Sequence, residues 1–167
     1  MTRAQMLVPK LKKIKAIFLD VDGVLTDGTI IYGSDGLELK VFDSKDGFGI
    51  ANAIHSGIRV GIITARSSEA VKRRANELGI VDLFQGSIDK ITPLEKIKKT
   101  HSLSDSEIAY VGDDILDLPV LQRVGFSAAP ANAVRDVRIK VDYVAKVRGG
   151  HGAVREIIDL ILKAQKK

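Results

Sequence analysis

Along this chain, compact apolar runs alternate with segments whose apolar residues recur at helical spacing. The runs "IKAIFLD", "RVGIITA", "EIAYVGDD", "GFSAAP" and "DYVAK" are short and rich in strand-forming residues. Between and after them lie "GFGIANAIHSG", "SSEAVKRRANELG", "TPLEKIKKT", "LPVLQRV", "ANAVRDV" and "AVREIIDLILKAQ". Strands separated by helices predict an α/β fold with a doubly wound parallel sheet, because parallel neighbours need a crossover and a helix supplies it. The last helix is amphipathic, with Val154, Ile157, Ile158, Ile161 and Leu162 on one face. Thr92, Pro93 and Glu95 form a T-x-x-E pattern that predicts a helix capped by Thr92, and Asn132 stands where it can cap the next one. One segment breaks the alternation. "TIIYGSDGLELKVF", residues 29–42, reads as two short strands around Gly33-Ser34-Asp35-Gly36, a β-hairpin flap inserted after the first strand.

The 167 residues fit one domain spanning the chain and can bury a sizeable core without staples. A 45% hydrophobic content with few aromatics and ordinary charge excludes disordered and fibrous classes. No apolar run approaches the ~20 residues of a membrane span. The basic start "MTRAQMLVPKLKKIK" lacks an apolar signal region, so the expected location is the cytoplasm. Cysteine is absent, which removes disulfides and thiol nucleophiles. The net charge of +5 comes from dispersed basic residues with no aromatic ladder, which disfavours nucleic acid and leaves a small anionic ligand open.

Chemistry changes the picture at the strand ends. Asp20, Asp22 and Asp27 follow the greasy "AIFL" within eight residues, and Asp113 and Asp114 follow "AYVG". Ligands of an open parallel sheet sit beyond the carboxyl ends of its strands, where Thr64 and the Lys90 loop also fall. Residues i and i+2 of an extended chain point the same way, so Asp20 and Asp22 can share a site. Converging carboxylates call for a hard divalent cation, and oxygen ligands suit Mg²⁺. Against a phosphate, unit charges about 4 Å apart repel by roughly 4 kcal/mol at an effective dielectric of about 20, so an anionic nucleophile needs the cation and Lys90 beside it. His55, His101 and His151 show no ligand spacing.

The set "DVDGVLTDG", "IITAR", the lysine and "VGDD", in that order, resembles the haloacid dehalogenase superfamily of aspartate-dependent phosphatases, across nearly the whole chain. The resemblance implies a Rossmann-like core. It implies that Asp20 is the nucleophile and forms an aspartyl-phosphate, and that Asp22 protonates the leaving alkoxide and then activates water. By the same resemblance Thr64 binds a phosphoryl oxygen, Lys90 neutralises nucleophile and phosphate, and Mg²⁺ is held by Asp20, Asp113 and the Asp22 carbonyl. Asp114 and Asp117 look like supports, although the simpler reading of Asp117 is a cap of the helix "LPVLQRV". A receiver-like signalling domain holding a stable phospho-aspartate is the alternative of another class, disfavoured by the D-x-D pair.

The chain has room for no cap domain. "SKDGFGI", "GDDILDLPVL" and "VRGGHGAVREI" look like the capless, tetrameric 3-deoxy-D-manno-octulosonate 8-phosphate phosphatases of lipopolysaccharide sugar synthesis. That likeness implies a sugar-acid phosphate substrate, contacted by Asp43, Ser44, Lys45, Asp46 and Gly47 and by Arg66, Arg74 and Lys90. Two helical turns separate Arg66 from Arg74, so the pair is expected on one helix face, where guanidinium groups suit a carboxylate. Ala51 and His151 stand where arginines are expected, which admits a nine-carbon analogue as the alternative substrate. A homotetramer is expected to bury the apolar flap, with the glycine-rich tail Arg148 to Gly152 lying over a phosphosugar site, most readily a neighbour's.

Overall fold

In the computed structural model, which describes residues 3–166, α1 (Arg3–Leu11) leads into β1 (Ala16–Leu19) and then into the hairpin strands β2 (Ile31–Tyr32) and β3 (Glu38–Leu39). The chain continues through α2 (Ser44–His55), β4 (Arg59–Ile63), α3 (Glu69–Glu77), β5 (Asp82–Phe84), α4 (Ile91–His101) and β6 (Ile108–Val111). It ends with α5 (Leu118–Leu121), β7 (Phe126–Ala129), α6 (Arg135–Arg138), β8 (Tyr143–Val144) and α7 (Ala153–Gln165). The main sheet runs β5-β4-β1-β6-β7-β8, with every recorded pairing parallel, as the alternation predicts. The flap is a separate antiparallel pair, with Ile31 opposite Leu39 and a turn closed by the Gly33 N–H donating to the Leu37 carbonyl at 2.7 Å.

Strand alternation splits the core into two layers. Ile17 and Leu19 of β1 face α1, α2, α3 and α7, whereas Ala16 and Phe18 face α4, α5 and α6. Val154, Ile157, Ile158 and Ile161 of α7 are fully buried, and at ~1.5–3 kcal/mol per side chain their burial outweighs any helix propensity. Leu162, expected on that face, is partly buried at its edge. Among the described residues no helix is long and apolar enough to cross a membrane.

Two local expectations need correcting, and one element was not anticipated. The basic N-terminal segment forms α1, whose Leu7 and Leu11, with Ile14 beyond it, enter the core while the lysines between them mask the pattern. Thr92 does not cap α4: the Asp89 carboxylate accepts from the Ile91 N–H at 2.9 Å and the Thr92 hydroxyl at 2.6 Å, one turn earlier than the T-x-x-E pattern predicts. Asn132 does not cap α6, which starts later. Its amide oxygen accepts from the Gly149 N–H at 2.8 Å and so fastens the tail.

Candidate active site

From β1 the chain moves to β4 and β5 on one side of the sheet and then crosses to β6, β7 and β8 on the other. The carboxyl ends of β1 and β6 therefore flank the crevice at which an open parallel sheet binds ligands. A cleft of about 320 Å³ lies there, lined by Asp20, Asp22, Thr64, Arg66, Lys90 and Asp113 among others. A larger cleft, of about 450 Å³, sits at the opposite ends of β1 and β4 and includes Lys15, Arg59 and His101, but no carboxylate pair lines it.

Lys90 organises the floor. Its side chain is 1% exposed, and its ammonium lies 2.7 Å from Asp20 Oδ2 and 2.6 Å from Asp117 Oδ1. Burial alone would lower the lysine pKa, but the two carboxylates reverse that and hold the ammonium charged. Asp117, fully buried, also accepts from the Tyr110 hydroxyl at 2.8 Å and from the Asp113 and Asp114 N–H groups at 2.9 and 3.1 Å. Four donors saturate its carboxylate. Asp117 is thus a fixed anchor for the lysine and for the loop after β6, and its position before α5 supplies no side-chain cap to that helix.

Asp20 is 9% exposed, and its Oδ1 accepts from the Val21 N–H at 2.7 Å, which fixes the carboxylate while Oδ2 meets Lys90. Burial and the Asp117 charge push its carboxyl up to about 6, with Lys90 pulling the other way. Asp113 stands beside it. Burial, then the charges of Asp20, Asp117 and Asp114, push the Asp113 carboxyl up to about 8. Oxygens of Asp20, Asp113 and Asp117 all lie within 4.8 Å of one another; with Asp117 taken up by its four donors, Asp20 and Asp113 remain as a hard, anionic pair that fits a small divalent cation. Gly23, at φ +84°, makes the crowding possible: a Cβ there would stand 1.9 Å from Asp113 Oδ2. Thr64 is 2% exposed at the end of β4, held by its N–H to the Phe84 carbonyl at 2.9 Å.

Comparison with known proteins agrees with this arrangement. Residues 75–157 match the model of the haloacid dehalogenase-like hydrolase family. The chain is 44% identical over 161 residues to the 3-deoxy-D-manno-octulosonate 8-phosphate phosphatase of Escherichia coli K12, covering 96% of this chain and 86% of that protein. The crystal structure of the Moraxella catarrhalis phosphatase of the same name, in complex with a magnesium ion, a phosphate ion and a KDO molecule, superposes with a TM-score of 0.94. It is 45% identical, over 96% of this chain and 92% of that one. The chain belongs to the 3-deoxy-D-manno-octulosonate 8-phosphate phosphatase family of haloacid dehalogenase-like hydrolases. A subfamily III A haloacid dehalogenase hydrolase from Legionella pneumophila, at 44% identity and a TM-score of 0.96 over 98% of this chain and 90% of that one, has the same fold.

In this family member the residues expected around the sugar fall into two groups. Arg66 lines the cleft, but it lies in the loop before α3 rather than on the helix with Arg74, so the two do not share a helix face. Its Nη2 donates to the Glu38 carboxylate at 2.5 Å and to the Tyr32 hydroxyl at 3.1 Å, both on the flap. Arg74 instead lies against Gly47, whose added Cβ would stand 2.3 Å from Arg74 Nη2, and near the Phe42 ring. Asp43 caps α2 by accepting from the Lys45 N–H at 2.6 Å, and the Ser44 and Lys45 side chains are exposed. Asp46 is buried and is not among the residues that line the cleft. It accepts from the Arg155 N–H at 2.8 Å and the Gly152 N–H at 3.4 Å, capping α7 from a distant part of the chain. The tail is fastened to the loop after β1: Gly150 N–H donates to the Val24 carbonyl at 3.0 Å, and a Cβ on Gly149 would stand 1.8 Å from the Gly23 carbonyl oxygen.

Sequence reasoning missed Lys40. Its ammonium donates to Asp22 Oδ1 at 2.6 Å with only 2% of the side chain exposed. In "LELKVF" a lysine reads as the solvent face of a strand, so no local signal marks it.

Proposed function

We propose that this chain is a Mg²⁺-dependent phosphomonoester hydrolase whose substrate is 3-deoxy-D-manno-octulosonate 8-phosphate, the compound on which its curated relatives are named to act. The observation that carries the reading is Lys90, buried between Asp20 and Asp117 beside Asp113 at the switch point of the sheet. Asp20 attacks phosphorus, so that a P–O bond forms to its carboxylate as the P–O bond to the sugar breaks. Asp22 gives its proton to the departing alkoxide and then takes one from the water that hydrolyses the aspartyl-phosphate. Lys90 lowers the repulsion between the Asp20 carboxylate and the phosphate, and Thr64 donates to a phosphoryl oxygen. Asp20, Asp113 and the Asp22 carbonyl are the residues that would hold Mg²⁺, which when bound neutralises the charge of the transferring phosphoryl group. Asp117 keeps Lys90 and Asp113 in place.

Arg66 at the cleft mouth, and the surface formed by Arg74 and Asp43 to Gly47, are proposed for the sugar-acid end, by direct contact or, for the buried Asp46, through the tail it anchors. The flap exposes Ile31, Leu37, Leu39 and Val41, more apolar surface than a lone hairpin supports in water, which favours a homotetramer built on flap contacts. Arg148 and His151 are exposed and can reach over a neighbouring site.

The test is phosphate release by the purified chain with Mg²⁺ and with chelator, across eight- and nine-carbon sugar-acid phosphates, with light scattering for mass. The eight-carbon ester should give the highest kcat/KM, and Asp20→Asn should lose about 10² or more in rate. Hexose phosphates turned over tenfold better would overturn the substrate, and activity surviving in Asp20→Asn would overturn the mechanism.

A further inference from the structure

Among the groups of the cleft, Asp22 is held differently from the other acids. Asp20 is fixed by its neighbour's N–H and by Lys90, and Asp117 by two backbone amides, Lys90 and Tyr110. The carboxylate of Asp22 instead meets two cations. Oδ1 accepts from Lys40 Nζ at 2.6 Å, and Oδ2 lies 3.6 Å from Arg66 Nε. Each cation is tied in turn to Glu38: Lys40 Nζ lies 2.9 Å from Oε1, and Arg66 Nη2 donates to Oε2 at 2.5 Å. Asp22, Lys40, Glu38 and Arg66 thus form a closed ring of alternating charge, and Glu38 and Lys40 belong to the flap. A lysine with 2% of its side chain exposed is unusual, and here the ammonium meets the carboxylates of Asp22 and Glu38.

From this geometry we propose that Lys40 is a positioning residue of the hydrolysis: with Glu38 behind it, it holds Asp22 by Oδ1 and so leaves Oδ2, which at 3.6 Å is not hydrogen-bonded to Arg66 Nε, as the oxygen that carries the proton to the departing alkoxide. The inference rests on the reading of Asp22 as proton donor. It makes the flap part of the proton-transfer apparatus as well as an apolar surface, because the flap supplies the cation that orients a cleft residue. Without Lys40 the Asp22 side chain samples rotamers from which it cannot reach the departing oxygen, and general acid catalysis depends on that reach.

The test compares two esters on the full-length chain with Mg²⁺ bound. Loss of the sugar as an alkoxide needs a proton, whereas p-nitrophenolate leaves as a stable anion. Lys40→Met should lower kcat on the sugar-acid phosphate by about 10- to 100-fold with KM within about threefold. Its first-turnover release of p-nitrophenolate should stay within about threefold of wild type, since attack by Asp20 needs no proton donor. Lys40→Arg should recover most of the lost rate, because a guanidinium can meet both carboxylates. Glu38→Gln, which leaves every cleft residue in place, should show a smaller loss with the same split, and it carries the test if Lys40→Met does not fold. Equal losses on both esters, or no loss on the sugar ester, would overturn the positioning role while leaving the phosphatase reading intact. A wild type that hydrolyses neither ester, or an Asp22→Asn variant with full activity on the sugar ester, would overturn the underlying reading instead.

Discussion

Removing the Asp117 carboxylate gives the sharpest check on how the floor of the cleft is held. In Asp117→Ala four donors lose their acceptor at once. Lys90 keeps Asp20, and the Tyr110 hydroxyl still has the Ile63 carbonyl at 3.3 Å. The Asp113 and Asp114 amides, in part-buried positions, have no such replacement, and an orphaned donor there costs toward the lower end of ~1–3 kcal/mol. Two of them, with the loosened ion pair, give a loss of about 3–5 kcal/mol, in the range for breaking a buried pair from one side. At ~2–4 °C per kcal/mol for a domain of this size, the melting temperature should fall by roughly 6–20 °C. Urea denaturation should show the same loss, and a cycle with Tyr110→Phe should give coupling of about 0.5–3 kcal/mol, as expected for residues in one network. The kcat should fall at least about tenfold, because Lys90 and Asp113 share the lost anchor. A stability loss below about 1 kcal/mol, additive with Tyr110→Phe, would refute the account of Asp117 as anchor.

Chelated protein should depend on pH in a way that Mg²⁺ removes. Asp113 rises from 3.8 to about 8 and Asp20 to about 6 in the fold, so the folded chain holds protons that the unfolded chain releases. Their contribution to stability is full below about pH 4 and is lost as pH rises through about 6 and then 8, and melting curves that fail to fall with chelator relative to Mg²⁺ would contradict this. Gly23→Ala places a methyl group into Asp113 and strains a left-handed backbone, so activity should drop by at least about tenfold with weaker Mg²⁺ binding measured by calorimetry. Asp46→Ala removes the cap of α7 and should cost about 1–2 kcal/mol, seen as faster amide exchange at Gly152 and Arg155.

The α/β class and the gathering of Asp20, Asp22, Thr64, Lys90 and Asp113 were legible because both are local. Strand alternation repeats within a few residues, and each of these groups follows an apolar strand end directly or opens the helix beyond it. What escaped was set by partners far along the chain. Asp46 reads as a first-turn acid of α2, and only the packing of α2 on α7 shows that it caps a helix starting more than a hundred residues later. Thr92 is no cap because the helix begins at Ile91, one residue before the T-x-x-E pattern, which puts Thr92 inside the first turn with its hydroxyl donating back to Asp89. Asp117 reads more simply as a cap than as a support, and its saturation by four donors decides for support. Lys40 was hidden by its own chemistry, since a strand lysine is normally solvated and nothing near it announces burial.

The central place of β1 has a consequence for synthesis. Its four residues, Ala16–Leu19, are made before either of their two partners, Arg59–Ile63 and Ile108–Val111. On the ribosome this apolar strand must wait for β6 to emerge, some 5–20 s at typical elongation rates of ~5–20 residues per second. During that interval both of its edges are open to pairing with other nascent chains. The basic segment ahead of it, rich in lysine, keeps the growing chain charged until the central strand finds its neighbours.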